Sequence, residues 1–399
     1  MTLPTSGQIK ISDINGEFGL GNSLGLYHGQ KYFLESGVQG TFPINTIKMS
    51  DFYGTRKTSP ITINYPSTST NGTPFSWSIS KAVPNDTWYA QVTGAFSRRV
   101  PDTGTFSVDG SGSASYTNGD WSPNNGSITV TFYFTNSGTV TKTMNVLPPP
   151  ALTVDYFIVA GGGAGGTGSG YYGGAGGGGG GVLSGTTTLV PSTTYPITIG
   201  AGGIQRYKGG SGNGQNSTAF GLTAIGGGEG GSCFFGPNGE TPAGGSGGSG
   251  GGTAVGRGLP SGRPGGSGTA GQGYNGGAAT TTFSGGGGGA GGPGLDGGTG
   301  SGPGSGGPGV TSPILSGTRG SGGNAAIYYL PSAPDEAPNS GNGGSGGGGG
   351  GNGGGAGGSG VVAIRYPGTS AKWNGGDIVY TNGGYMYHTF TSSGSLTPI

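Results

Sequence analysis

Between residues 60 and 147, apolar and polar side chains alternate in short runs. The clearest is Ile128-Thr129-Val130-Thr131-Phe132-Tyr133-Phe134. A period of two puts successive side chains on opposite faces of a strand, so one set is available for a core. Comparable runs fall at 61–65, 75–80, 88–93, 104–108, 114–117 and 140–146, separated by Gly, Pro and Asn turns. Seven short strands at this spacing predict an immunoglobulin-like or fibronectin-like β-sandwich. The Cys-Trp-Cys signature of true immunoglobulin domains is absent, and Trp77 or Trp88 is left to fill the core. A second set of strands is predicted at 154–160, 182–189, 195–199 and 361–366. A hairpin comes after them at 378–381 and 385–391, turning through Asn382-Gly383-Gly384.

Ahead of the sandwich, residues 1–57 read as a small docking unit. A helical pattern begins at Ser12-Asp13-Ile14-Asn15 with capping groups and is interrupted at Gly19. The segment Ile47-Lys48-Met49-Ser50-Asp51-Phe52 repeats the Ile-x-x-Ser-Asp-apolar pattern of Ile9 to Ile14. So short a unit buries little surface, which implies that it attaches to something. Pro148-Pro149-Pro150 makes a stiff connection from the sandwich to the strand at 154–160.

Composition changes the picture after residue 151. The 399 residues include 106 Gly and 26 Pro, and most of 201–360 is Gly, Ser, Thr, Asn and Pro. Such a tract is either a flexible linker or an ordered lattice. Irregular glycine spacing excludes collagen, and regular Ala or Ser alternation for a silk-like stack is missing. An ordered form is a bundle of extended, three-residue-per-turn polyglycine II-type helices. These make no internal hydrogen bonds and bond laterally where no Cβ intervenes. The predicted fold is therefore mainly β: an N-terminal segment at 1–57, a sandwich at 60–147, and a β-framed glycine-rich domain at 151–399. Charged residues are 8% with a net charge of +1, which argues against nucleic-acid binding. No apolar run approaches the ~18 residues of a membrane span. The start MTLPTSGQIKIS has no cationic and apolar leader pattern, so no secretory signal is expected. One cysteine, Cys233, excludes a disulfide framework.

The run Val154-Asp155-Tyr156-Phe157-Ile158-Val159-Ala160-Gly161-Gly162-Gly163 resembles the opening of the glycine-rich domain of bacteriophage tail proteins. Tyr195-Pro196-Ile197-Thr198-Ile199-Gly200-Ala201-Gly202-Gly203 and Gly360-Val361-Val362-Ala363-Ile364-Arg365-Tyr366 continue the likeness, which spans roughly 151–368. Tyr385 to Gly394 resembles a strand that usually precedes such a domain and here comes last. Pro4-Thr5-Ser6-Gly7, Ile11-Ser12-Asp13-Ile14 and Asp51-Phe52-Tyr53-Gly54 are similar to leader segments of marine and cyanobacterial phage structural proteins. The layout of islands in glycine also resembles the distal adhesins of T-even-like long tail fibres. The resemblance implies a virion protein made in the host cytoplasm and exposed on a fibre or tail appendage. Other virion proteins would hold its N-terminal segment, and a host-surface protein or glycan would be its receptor. A homo-oligomer is compatible with that setting.

Chemistry is sparse. Repeated Gly-x-Gly-x-x-Gly patterns arise by chance at this glycine density, and no Gly-Lys-Ser/Thr comes after them. His28 and His388 lie in no metal motif, and Asp335-Glu336 is the one adjacent carboxylate pair after 151. No cofactor or metal is expected. What stands out is a set of aromatic and basic islands: Tyr171, Tyr172, Arg206, Tyr207, Phe234, Phe235, Arg257, Arg263, Tyr274, Phe283, Tyr328 and Tyr329. Tyr and Arg dominate binding hot spots, and Tyr with Gly, Ser and Asn is paratope composition. Local packing over the glycine tract is the alternative role. The expected function is non-catalytic receptor binding, with a purely structural head-fibre or decoration role second and a surface-polysaccharide depolymerase third.

Overall fold

The computed structural model describes residues 3, 10–21, 23–34, 39–45, 48–52, 55–56, 62–64, 68–70, 76–80, 82, 86–94, 98–100, 105–107, 109, 113–117, 126–135, 138–204, 212–233, 243–256 and 260–399. These fall into two compact units, 1–150 and 151–399. Both are mainly β, with a single α-helix among the described residues.

In the first unit that helix, α1, covers Ile11–Phe18. Asp13 Oδ2 accepts the Lys10 N–H at 2.9 Å, satisfying a donor at the helix start. Gly19 ends the helix at φ 72°, and its N–H reaches Asn15 O at 2.7 Å. The sequence repeat has the same meaning at its second copy. Asp51 Oδ2 accepts the Lys48 N–H at 2.7 Å and opens a 3-10 turn over Met49–Phe52. Ile14 from the first copy and Phe18 one turn further along α1 meet Phe52 from the second, with Tyr27 and Phe42, in one buried cluster. Strands β1 (Lys31–Leu34), β2 (Gln39–Thr41) and β3 (Thr55–Arg56) form a small sheet.

Two further sheets share a second core. The strands are β4 (Thr62–Asn64), β5 (Thr68–Thr70), β6 (Ser76–Ser80), β7 (Thr87–Gly94), β8 (Arg98–Val100), β9 (Phe106–Ser107), β10 (Ala114–Thr117), β11 (Gly126–Phe134) and β12 (Gly138–Leu147). One sheet runs β10-β6-β4; the other runs β5-β12-β11-β7-β8, with β9 on β7. The alternation in β11 buries Ile128, Val130, Phe132 and Phe134. Trp77 and Trp88 both enter the core, their rings 6.2 Å apart at 68°. The expected seven strands are supplemented by β5 and β8, whose three residues carry too little alternation to read. Ile61, Tyr65, Phe75, Gly104 and Val108, expected at strand ends, lie outside the described residues.

The second unit opens with β13 (Leu152–Val159), β14 (Val182–Leu189), β15 (Tyr195–Thr198), β16 (Ser217–Ala219) and β17 (Leu222–Ala224). It closes with β18 (Val361–Pro367), β19 (Trp373–Asn374), β20 (Ile378–Asn382), β21 (Tyr385–Phe390) and β22 (Gly394–Pro398). The sheets are β14-β13-β18-β21-β20 and β17-β16-β15-β22-β19. Val154, Ile158, Ile364 and Tyr366 from the first meet Ile197, Trp373 and Leu396 from the second in a common core. The strand at 385–390 pairs with both β18 and β20 in the first sheet. Asp155 faces Arg365 across β13 and β18, with a 2.8 Å ion pair.

Between these strands the interior is made of backbone. From Ala160 outward, N–H groups three residues apart serve one neighbour. Ala160, Gly163 and Gly166 donate to the carbonyls of Gly181, Gly178 and Ala175. Gly162, Gly165 and Gly168 donate to Gly358, Gly355 and Asn352, while Gly161 and Ala164 donate to Gln215 and Gly212. The carbonyls obey the same period: those of Gly161, Ala164 and Thr167 accept from Gly227, Gly230 and Cys233. A segment with no side-chain core thus satisfies its buried peptide groups by bonding sideways. Residues 157–168 and 173–182 are buried throughout.

Glycine is needed here for approach, not for φ. A Cβ on Gly166 would land on the Gly231 carbonyl, and one on Gly177 on the carbonyls of Gly163 and Ala164. The left-handed glycines sit instead at turns, such as Gly170, Gly221, Gly350 and Gly351. The run 346–351 shows both cases. Gly346 abuts the Gly174 carbonyl, whereas a Cβ on Gly351 would meet nothing within 4 Å. No bundle of regular helices appears among the assigned elements of 201–360, where a 3-10 turn at Thr299–Ser301 is the one helical piece among the described residues.

Candidate functional site

Three turns of the second unit converge on a group of tyrosines. The first is a two-residue reversal. Ser169 and Tyr172 exchange N–H···O bonds of 2.9 and 3.1 Å, Gly170 takes φ 56°, and Tyr171 is thrown outward, 78% exposed. The second comes after Ala325 and Ala326, both buried, with the Ala326 N–H on Gly174 O at 3.0 Å. Anchored there, the chain presents Ile327, Tyr328, Tyr329 and Leu330, with Tyr329 85% exposed. The third turn, through Gly350 and Gly351, ties the other two. The Gly350 N–H reaches Gly170 O at 3.0 Å, and Asn352 Nδ2 donates to Leu330 O at 3.2 Å and Gly349 O at 2.8 Å.

The rings meet as a result. Tyr171 and Tyr328 lie 5.1 Å apart at 39°, and Tyr328 and Tyr329 lie 4.5 Å apart edge to face. Mutual contact fixes three aromatic side chains before any ligand arrives, which lowers the entropy cost of binding. The exposed apolar side chains of Ile327 and Leu330 flank them in sequence.

The other sequence candidates separate. Tyr172 packs inward against the cluster of Ala175, Cys233, Ala254 and Val255. Arg263 is half-buried and its Nη2 donates to Ala254 O at 2.6 Å, which links two chain segments. Phe283 is half-buried in a turn closed by its N–H on Thr280 Oγ1 at 3.0 Å. Tyr274 is half-exposed and stands beside β14, where it lines a cleft with Phe157 and Val182. About ten residues of extended chain, on the order of 30 Å, separate Val182 from the Tyr171 turn. Arg206, Tyr207, Phe234, Phe235 and Arg257 lie outside the described residues.

Several titratable groups elsewhere among the described residues are held in structural bonds. Burial pushes the Cys233 thiol up to about 12, so it remains protonated and unreactive at neutral pH. His388 is buried, its Nδ1 2.6 Å from Gly375 O and its Nε2 3.0 Å from the Tyr366 hydroxyl. A carbonyl only accepts, so Nδ1 carries the proton and Nε2 accepts from Tyr366. Burial holds this imidazole below its ordinary value, with the Gly375 bond opposing. Asp335 Oδ1 accepts the Ala356 N–H at 2.8 Å, while Glu336 Oε2 accepts from Asn342 Nδ2 at 3.3 Å. Asp377 carries no signal in the sequence. Its carboxylate collects the N–H and hydroxyl groups of Thr391 and Ser392, and the Thr391 N–H bond leads in holding it below the usual range. No group of three or more His, Cys, Asp or Glu able to hold a metal occurs among the described residues. Nor is any helix among them long and apolar enough to cross a membrane.

A family model described as a glycine-rich domain matches residues 135–367, more than half of the chain. The chain belongs to this glycine-rich domain family. No curated protein and no solved structure matches it.

Proposed function

We propose that the protein is a bacteriophage tail-fibre or tail-appendage adhesin that binds a host-surface receptor without catalysis. In this reading the N-terminal segment attaches to other virion proteins and the second unit carries the receptor site. The observation that carries it is the Tyr171–Tyr328–Tyr329 group, set on turns of an otherwise side-chain-poor, laterally bonded framework. Exposed aromatics on a fixed backbone are what an interface anchor requires. The sequence likeness to phage leaders and glycine-rich tail domains supplies the virion setting.

The framework itself we read as a lattice of polyglycine II-type segments. The support is the three-residue period of its donors, three residues per turn being the repeat of that conformation, and the glycines whose Cβ would strike a neighbouring carbonyl. Adsorption of tagged full-length protein to host cells tests the function. Tyr171→Ala and Tyr329→Ala should each weaken it by about 1–2 kcal/mol, roughly five- to thirty-fold, with an unchanged melting temperature. Wild-type adsorption after Tyr171, Tyr328 and Tyr329 are all replaced would favour a purely structural role.

A further inference from the structure

The cleft beside β14 has a volume of about 720 Å³, within the range of small-ligand sites. One wall is the first sheet of the second unit, through Phe157, Val182 and Ser184. The facing wall is the turn from Gly268 to Asn275, and Pro293, Val310 and Thr311 complete the rim. Tyr274, half-exposed, stands in that facing wall.

The lining selects for a chemistry. It contains no Asp, Glu, Lys or Arg, so neither a phosphate, an acidic polymer nor a cation finds a counter-charge. It mixes an aromatic ring and aliphatic carbons with the Ser184 and Thr311 hydroxyls and the Asn275 amide. The Asn275 Oδ1 is held by the Gly268 N–H at 2.8 Å, which orients the amide and leaves Nδ2 to donate. Gln272, by contrast, is committed at both ends: Oε1 accepts from Ile225 N and Nε2 donates to Thr223 O. The N–H groups of Gly268 and Gly273 are likewise taken, by Asn275 Oδ1 and Thr269 O, so the polar groups left to a ligand here are side chains. At the start of β14 the Val182 N–H is already bonded to Gln272 O at 3.0 Å and is not offered to an added strand.

We infer that this cleft binds a neutral saccharide. A pyranose ring presents C–H groups on one face and hydroxyls around its rim, which matches an open tyrosine ring bordered by uncharged donors and acceptors. The site is separate from the three-tyrosine group and stands whether or not that group binds a receptor.

Saturation-transfer NMR on the full chain tests it, with glucose, galactose, N-acetylglucosamine and their trimers as neutral probes and glucuronic and sialic acids as charged ones. At least one neutral sugar should receive saturation. Tyr274→Ala should weaken that signal ten-fold or more, and Ala270→Trp, which fills the cleft from an exposed position, should abolish it. Tyr171→Ala should leave it unchanged. Both cleft variants should keep the wild-type melting temperature, since the Tyr274 backbone bonds to Gly289 and Gly250 do not involve its ring. Absence of transfer to every neutral sugar, preference for the acids, or a signal that survives Ala270→Trp would overturn the assignment.

Discussion

The sandwich of the first unit and the glycine framework of the second solve the same problem with opposite materials. In the sandwich, Trp77, Trp88 and Phe132 fill the space between two sheets whose peptide groups are paired along strands. In the framework, nothing fills the space; the backbones come together until the carbonyl of one chain sits where a neighbour's Cβ would be. The first interior tolerates modest loss of volume, because side chains relax. The second has no side chain to give way, and a displaced backbone loses hydrogen bonds with several neighbours together.

The sharpest test of that contrast adds one methyl group. Gly166→Ala should destabilise the second unit by more than about 5 kcal/mol, read as lost folding or a collapsed urea midpoint. Trp88→Ala removes a whole indole and should cost less, about 3–5 kcal/mol in the first unit's transition. A smaller effect than Trp88→Ala at Gly166 would mean that the framework yields as side chains do. A subtler effect concerns pH. His388 has its folded value below its unfolded one, so the unfolded chain takes up the proton first. The contribution is full above the ordinary value of 6.5 and is lost as pH falls below it. Thermal melts from pH 8 to 5 should show this decline, and His388→Phe should flatten it. Least of all, Gly302→Ala should shift stability within about 0.5 kcal/mol, since that glycine has φ −144° and open space around a built Cβ.

These regions also differ in how much the sequence discloses. Strands with alternating apolar residues, such as 128–134 and 154–160, announce themselves, and so does the tail hairpin around Asn382-Gly383-Gly384. Two- to five-residue strands such as β16, β19 and β22 carry no clear period and give no signal. The framework's pairing is illegible for a stronger reason: glycine has no side chain whose pattern could name its neighbour. Nothing in the sequence says that Gly162 meets Gly358, or that Tyr171 will touch Tyr328, 157 positions later. The island residues are visible as islands; their convergence depends on turns tied by Gly350 and Asn352. The bond from Arg263 to the Ala254 carbonyl is equally illegible, because a basic residue in a polar loop carries no pattern that names a backbone partner.

The three-residue period sets a rule for how such a protein can change length over evolution. Inserting a single residue in the segment 160–168 would shift every later donor out of the observed three-residue period and aim it at the wrong neighbour. Deleting or adding three keeps each donor facing the neighbour it had. Changes at turns such as 169–172 or 327–330 stand outside the three-residue rule, because they lie at reversals and are limited instead by the bonds that Gly350 and Asn352 make to them. Descent should therefore record gains and losses in the framework in steps of three codons, while the turns between its segments are free of that step.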